Sequence, residues 1–224
     1  NQSERNIITV EDPVEYDLPG INQSQIHSDI GLTFAAGLRA SLRQDPDIIL
    51  VGEIRDHETA SVAAQAALTG HLVFSSLHAN SSIAAIVRLR DLGLDNYLIA
   101  ATVRAIIAQR LLRRLCLECS AAHPPTRSER DAFKAVDMPV PEEVRQAVGC
   151  PACLNTGSSG RAGIYEIVEI DTEMRTLIDD GAAEEALRAQ AMTPSQSLFG
   201  EALGLVATGM TDFAEVVRIV GRNP

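Results

Sequence analysis

A run of twelve residues, Asp45 to Asp56, constrains the fold more than any other part of this chain. It contains four consecutive apolar residues, Ile48 to Val51, and this lack of polar alternation is typical of a strand buried on both faces of a parallel sheet. Gly52 and Glu53 follow directly. Because open α/β sheets bind ligands at the carboxyl ends of their strands, Glu53 is a candidate to orient a water or help hold a metal. An acidic turn after a core strand explains the same residues equally well.

A second apolar segment, Asn6 to Val10, predicts another buried strand that also ends in acidic residues. Glu11 and Asp12 follow it, Pro13 stops further strand pairing, and Glu15 lies just beyond. The sequence therefore predicts two strands that each end in carboxylates.

Helices are predicted between and after these strands. Leu32 to Arg43 has its apolar residues four apart, and Thr33 is a candidate cap. The alternation of strands and helices predicts an α/β fold. The further predicted elements are a helix over Glu58–Leu68 ended by Gly70, a strand over Leu72–Leu77 flanked by His71 and His78, and a helix over Ile83–Leu92 capped by Ser81 or Ser82.

Several arginines lie on the predicted helices. Arg39 and Arg43 share a face of the first helix, where a solvated pair and a phosphate contact are both open. Tyr97 to Leu115 carries apolar residues in steps of three and four, which predicts one long helix. Its basic end suits a helix carboxyl terminus and holds Arg110, Arg113 and Arg114.

Four cysteines form two Cys-x-x-Cys pairs separated by thirty residues. Each pair can place two thiolates at the spacing that zinc requires, so Cys116, Cys119, Cys150 and Cys153 predict a closed structural zinc site. Redox pairs and unmetallated thiols are the alternatives, and His123 is a weaker candidate ligand. After the second pair, Ile164 to Ile170 predicts a strand and Thr172 to Ile219 predicts three short helices. These changes in composition predict three domains, over residues 1–115, 116–160 and 161–224.

The composition excludes some classes of protein. The formal charge of -11, with five Phe, three Tyr and no Trp, argues against nucleic-acid binding. No apolar run reaches the length of a membrane span, and the first ten residues lack the layout of a signal peptide. We therefore expect a cytoplasmic protein without direct membrane insertion.

Together these motifs resemble the motor ATPases of type II secretion and type IV pilus assembly. The resemblance covers nearly the whole chain. Its parts are Thr9–Tyr16 (Asp box), Phe34–Asp56 (Walker B segment), Thr69–His78 (His box), Ala108–Cys116, the paired cysteines, Gly160–Glu166 and Gly209–Arg218.

The resemblance implies a RecA-like sheet with flanking helices, a small tetracysteine zinc subdomain and a helical carboxyl-terminal subdomain. It implies ATP and magnesium as ligands, with Glu53 polarising the attacking water. Gly52 occupies the usual Walker B aspartate position, so magnesium must rely on other ligands. The remaining implied roles are Glu11 near metal and water, Asp12 and Glu15 beside it, His71 and His78 at the γ-phosphate, and Arg39, Arg43 and Arg55 at a subunit boundary.

The resemblance also implies a cellular setting. Family members form hexameric rings in the cytoplasm, peripheral to the inner membrane, where they act on secretion or pilus platform proteins. The favoured function is a type II secretion motor that drives pseudopilus assembly and protein export. A pilus assembly ATPase is the first alternative. The second is a zinc-stapled interaction module that docks through the acidic residues of 161–224.

One departure from the family pattern stands out. A phosphate-binding loop has the pattern Gly-x-x-x-x-Gly-Lys-Ser/Thr. The single lysine of this chain, Lys134, lies between Phe133 and Ala135 with no such glycines before it. We therefore expect the carboxyl-terminal part of an ATPase, truncated before the Asp box and inactive alone.

Overall fold

The computed structural model describes residues 4–221, in which strands and helices alternate through the first half of the chain. The strands are β1 (Ile7–Glu11), β2 (Asn22–Gln25), β3 (Ile48–Val51), β4 (Leu72–Ser75), β5 (Ala105–Leu115), β6 (Ala121–His123), β7 (Val144–Gln146) and β8 (Ser158–Glu169). The helices are α1 (Phe34–Ser41), α2 (His57–Leu68), α3 (Ser82–Asp91), α4 (Asn96–Thr102), α5 (Arg127–Ala135), α6 (Thr172–Asp179), α7 (Glu184–Ala191), α8 (Leu198–Ala207) and α9 (Phe213–Ile219).

Contacts divide the chain into two compact units. Unit 1 runs up to Arg104 and includes Ile170–Leu187, and unit 2 consists of Ala105–Glu169 and the residues from Arg188 onward. These limits differ from the predicted boundaries after residues 115 and 160. The difference arises because β5 and β8, which lie on either side of the cysteine region, pair with each other.

Unit 1 contains a parallel sheet in the order β2-β1-β3-β4. The predicted α/β class is confirmed. The three strands predicted for this part of the chain are also confirmed, and they correspond to β1, β3 and β4. The alignment of Val10 with Val51, and of Val51 with Ser75, brings the carboxyl ends of these strands to one edge. The sheet also contains β2, a polar strand that the sequence analysis missed.

One face of this sheet carries the core of unit 1. Val10, Ile49 and Val51 are fully buried there and pack with Phe34 and Leu38 of α1 and with apolar residues of α2. The other face is less covered, because Leu50, Leu72 and Phe74 are partly exposed. Within residues 4–221, β4 is one of the two edge strands of this sheet.

The predicted caps Thr33 and Ser81 are confirmed, and a third cap, Asp56, starts α2 one residue before the predicted range and was not predicted. Thr33, Asp56 and Ser81 each accept a hydrogen bond from the backbone N–H three residues later, which satisfies a free donor of the first turn. Gly70 has a φ of 100°, which is the left-handed conformation that favours glycine after a helix.

Arg90 links three elements of unit 1. Its Nε donates to the Asn96 side chain at 2.9 Å, and its Nη1 and Nη2 donate to the carbonyl oxygens of Ala182 and Ile178 at 2.8 and 3.1 Å. The guanidinium thus binds the carboxyl-terminal end of α6, where a cation complements the helix dipole. This contact places α6 in unit 1, although α6 follows β8 in sequence.

Unit 2 is built on an antiparallel ribbon of β5 and β8, and here the sequence analysis was wrong. The predicted helix over Tyr97–Leu115 ends at Thr102, and Ala105–Leu115 of that range is the strand β5. From Ala105 to Leu112 the residues alternate in exposure, with Leu112 fully buried. Arg113 therefore does not serve a helix terminus, and instead pairs with Glu215 at 2.8 Å.

The second core joins the ribbon to the carboxyl-terminal helices. Leu112 and Ile164 of the ribbon contact Phe199 and Leu203 of α8 in one buried cluster. Phe133 and Val136, which lie between the two cysteine pairs, belong to the same cluster. Four helices, α6 to α9, occupy the range predicted to hold three. Among residues 4–221, no helix combines the length and apolar character needed to cross a membrane.

Candidate functional site

Glu53 lies just past the carboxyl end of β3, where Gly52 permits a close approach between neighbouring backbones. The Gly52 N–H donates to the Val10 carbonyl at 2.8 Å. A Cβ on Gly52 would meet that oxygen at 3.2 Å and Glu11 Cα at 3.4 Å. A larger residue at position 52 would therefore crowd the backbone of β1. An aspartate, which the family pattern expects here, would fit only if β1 moved away.

The segments that follow β3 and β4 are tied side by side. Ser76 Oγ donates to the Gly52 carbonyl at 2.6 Å, and the Ile54 N–H donates to the Ser76 carbonyl at 3.0 Å. These bonds bring His78 to Glu53, with Nε2 3.2 Å from Oε2. Ser76 was not identified from the sequence, because its role depends on a contact between two loops.

The Glu53 carboxylate is nearly enclosed, with 13% of its side chain exposed. The Arg55 guanidinium donates to it and holds its pKa below the ordinary value, and His78 acts in the same direction against the effect of burial. Oε2 lies at ion-pair distance from His78 but accepts no hydrogen bond among the described residues. Glu53 therefore holds an ionised oxygen that is shielded from solvent and has a free lone pair, to which a water can donate once a neighbouring side chain moves aside.

Glu11 lies at the same edge of the sheet, at the end of β1. Its Oε1 accepts hydrogen bonds from Thr9 Oγ1 and from Gln23 Nε2, the latter at 2.9 Å. Asp12 and Glu15 follow in an exposed loop. The structure thus brings Glu11, Glu53 and His78 to one edge, as the positions of these residues after their strands predicted.

Other predicted site residues lie elsewhere in unit 1. His71 is at the amino end of β4, opposite Glu53, and its Nδ1 is 2.9 Å from the Ala66 carbonyl oxygen. It borders an open cavity of about 420 Å³ with Asp47 and Thr69. Arg39 pairs with Glu58 of α2 at 2.7 Å, and Arg43 donates to the Arg39 carbonyl. Both arginines are exposed, which agrees with the interpretation as a solvated pair.

The four cysteines of unit 2 form a compact cluster. All four Sγ atoms lie within 4.8 Å of one another. Zinc bound to four thiolates at about 2.3 Å in a tetrahedron sets sulfur separations of about 3.8 Å. The Cys116–Cys150, Cys119–Cys153 and Cys150–Cys153 separations are 4.0, 3.9 and 3.8 Å, so these residues fit a structural zinc ion.

Backbone donors surround the cluster as they do in a site that holds thiolates. Burial disfavours the Cys153 thiolate, yet the N–H groups of Cys150 and Gly157 lower the pKa of this thiol to about 6. At Cys119 burial prevails over the Gly149 N–H and raises the pKa to about 11. A cation at the centre of the cluster would favour the thiolate form of every member.

His123, the weaker candidate ligand, is not part of the cysteine cluster. Its Nδ1 is 2.9 Å from the Pro124 carbonyl oxygen, and its Nε2 lies 3.9 Å from a Glu129 oxygen. Glu129 in turn caps α5 through Thr126. The candidate metal site therefore consists of the four cysteine sulfur atoms, without His123.

Comparisons with known proteins agree with this architecture. The sequence model of the family described as "Type II/IV secretion system protein" matches residues 1–218. The type II secretion system protein E of Aeromonas hydrophila is 46% identical over 98% of this chain and 44% of its own length. The type II secretion system ATPase E of Vibrio cholerae is 44% identical over 98% of this chain and 43% of its own length.

A solved structure is similar as well. The pilus retraction motor PilT with bound ADP has a TM-score of 0.67 and 28% identity, over 96% of this chain and 52% of that chain. The chain spans less than half the length of the curated relatives that it matches.

Proposed function

The chain belongs to the type II/IV secretion system protein family, and we propose that it forms the carboxyl-terminal part of a type II secretion motor ATPase. The single observation that carries this proposal is the enclosed Glu53 carboxylate beside His78, at the carboxyl edge of the parallel sheet. A carboxylate in that position can orient and polarise a water that attacks the terminal phosphate of ATP.

We assign the remaining polar groups of this edge to binding. Glu11, with Asp12 and Glu15 in the loop that follows, supplies the oxygen ligands that magnesium prefers. Magnesium, when bound, neutralises charge on the phosphates. We propose that His78, beside Glu53, contacts the terminal phosphate and that Arg55 keeps Glu53 ionised. Arg39 of α1 and Arg43 just beyond its end, both exposed, are proposed contacts at a subunit boundary.

Sequence similarity supports the secretion branch. The type II secretion relatives described above are 44–46% identical to this chain. We accordingly propose a role in pseudopilus assembly and protein export, within a hexameric ring at the cytoplasmic side of the inner membrane, where the ring contacts platform proteins. The four cysteines hold a structural zinc ion in this proposal.

ATP turnover by the 224 residues alone is not expected. No Gly-x-x-x-x-Gly-Lys-Ser/Thr sequence occurs in them, so they contain no loop of the usual kind to cradle the phosphates. The proposal therefore assigns that loop to a segment outside this sequence.

The experiment is the substitution Glu53→Gln in the full-length protein. The amide keeps the shape of the side chain but cannot polarise water as the carboxylate does, so we expect loss of turnover by about 100-fold or more with nucleotide binding retained. Turnover is measured by phosphate release and binding by a fluorescent ATP analogue.

The matched control is Glu201→Gln, which makes the same chemical change at an exposed residue of α8 in unit 2. It should leave turnover unchanged. Unchanged turnover in Glu53→Gln would refute the proposed function of this site.

A further inference from the structure

Gln23 is the second residue of β2, where it is aligned with Thr9 of β1, and its side chain reaches Glu11 at the end of β1. Its Nε2 donates to Glu11 Oε1 at 2.9 Å and to the Tyr16 carbonyl at 3.0 Å. Its Oε1 accepts from the Leu18 N–H at 2.7 Å. Both hydrogens of the amide and its oxygen are therefore used, within a half-buried side chain.

These three bonds fix the orientation of the Gln23 amide. Turning it over would place its oxygen against a carboxylate and a carbonyl, and its nitrogen against an N–H donor. All three contacts would become repulsive, so the amide has one allowed orientation. The Nε2 donor is thus held towards Glu11 by the loop itself.

The same bonds connect Glu11 to the acidic loop that follows it. Tyr16 and Leu18 belong to the loop that starts at Asp12 and contains Glu15. The Tyr16 carbonyl and the Leu18 N–H both form hydrogen bonds with the Gln23 side chain. Thr9 holds the same Glu11 oxygen from within β1. One Glu11 oxygen thereby accepts from two side chains, and among the described residues no hydrogen bond to the other oxygen is found.

We infer that Gln23 is a positioning residue for the ATPase reaction, which orients Glu11 and holds the loop of residues 12–18 in its binding shape. The inference rests on the proposed function and deepens it. Gln23 touches no reacting atom in this scheme and acts through Glu11. Residues that orient a metal-site carboxylate in this way are commonly worth about 10- to 100-fold in activity or metal affinity.

The chain offers a matched control on the same strand. Gln25 is also a glutamine of β2, and its Oε1 accepts from the Val14 N–H at 3.3 Å. It therefore contacts the same loop but has no hydrogen bond to Glu11 among the described residues. Gln25→Ala therefore removes a side chain of the residue aligned with Glu11, and one loop contact, without removing a hydrogen bond to the Glu11 carboxylate.

The experiment measures kcat and KM for ATP in the full-length protein. We expect Gln23→Ala to lower kcat by about tenfold or more with little change in KM, and Gln25→Ala to leave kcat close to that of the parent protein. Gln23→Glu keeps the acceptor for Leu18 but loses both donors, so its kcat should fall as in Gln23→Ala. Thermal unfolding of each variant shows whether the fold is retained.

A double-mutant cycle separates positioning from a general structural effect. If Gln23 acts through Glu11, adding Gln23→Ala to Glu11→Gln should cause no further loss, measured with enzyme in excess over ATP so that slow turnover is visible. Additive losses, or equal kcat for Gln23→Ala and Gln25→Ala, would overturn the inference.

If Glu53→Gln is inactive while Gln23→Ala is fully active, the inference fails and the proposed function stands. Full activity in Glu53→Gln would refute both.

Discussion

At the scale of single residues, the position of Glu53 shows what the sequence can reveal. A carboxylate just after an unalternating apolar run is expected at the carboxyl edge of a parallel sheet, so Glu53 and Glu11 could be predicted to be neighbours. The partners that hold them could not. Ser76 and Gln23 form their hydrogen bonds across the fold, and neither one belongs to a pattern within the chain that marks it.

Glu215 is a second residue whose role depends on the fold. It is buried in unit 2 and accepts hydrogen bonds from the side chains of Arg113 and Arg218 at 2.6–3.0 Å. Burial opposes its charge, but these arginines lower its pKa to about 2. Glu215 lies in the first turn of α9, whose start is capped by Asp212, and no pattern along the chain marks the two arginines as its partners.

This shift in pKa predicts how stability depends on pH. Because the folded pKa of about 2 lies below the ordinary glutamate pKa of 4.5, Glu215 stabilises the fold fully above pH 4.5, and that stabilisation is lost as pH falls towards 2. We expect Glu215→Gln to lower the free energy of unfolding by about 2 kcal/mol at pH 7, allowing for the half-exposed arginines. Urea unfolding at a series of pH values measures the difference.

The control for this prediction is Glu201→Gln, the same change at an exposed position of unit 2. The Glu215→Gln deficit should shrink between pH 4.5 and pH 2, while the control stays near the parent protein throughout. A deficit that does not vary with pH would mean that packing, and not charge, explains the role of Glu215.

At the scale of elements, periodicity predicted the strands of unit 1 but failed for β5. Apolar residues from Ala105 to Leu115 occur both at helical spacing and in alternation, so the local pattern fits either structure. The deciding factor is β8, more than forty residues later, whose backbone pairs with β5 from Ala105 to Leu115. The polar strand β2 was missed for a related reason, since it is held by pairing with β1 and not by burial.

The cysteine region allows a prediction about metal removal. Its Phe133 and Val136 belong to the core beneath α8, so loss of zinc should loosen both residues 116–157 and this helix. We expect a chelator to increase hydrogen–deuterium exchange in both places and to leave β3 of unit 1 protected. Mass spectrometry of peptides from each region measures the change.

The internal control is β3, which lies in the other unit. Metal content is measured before chelation. Purified protein without zinc, in which four thiols react freely with a titrant, would contradict the assignment of this site.

At the scale of the whole molecule, the parallel sheet has an uneven covering. Helices α1 and α2 bury one face, while Phe74 and Leu72 on the other are 52% and 48% exposed. Parallel sheets are usually covered on both faces. The alternation of strands and helices predicted this sheet, but it could not predict which face is covered, because that depends on where each helix packs.

The exposed face should make the isolated chain self-associate. We expect Phe74→Ser to lower the associated fraction in light scattering, because it removes an exposed aromatic side chain from an edge strand. Tyr97→Ser removes a similarly exposed aromatic from α4, away from the sheet, and should have little effect. Equal association of Phe74→Ser and the parent chain would contradict the prediction.

The placement of α6 has a consequence for the integrity of the chain. The backbone passes between the two units after Arg104, after Glu169 and after Leu187, so neither unit is one continuous stretch. A break after Arg104 would yield an amino-terminal fragment whose partner helix, α6, resides on the other fragment. The Arg90 guanidinium would still donate hydrogen bonds to the carbonyl oxygens of Ile178 and Ala182, which belong to the other fragment. We therefore expect the two fragments of a chain that is cut after Arg104 to stay associated without a covalent link.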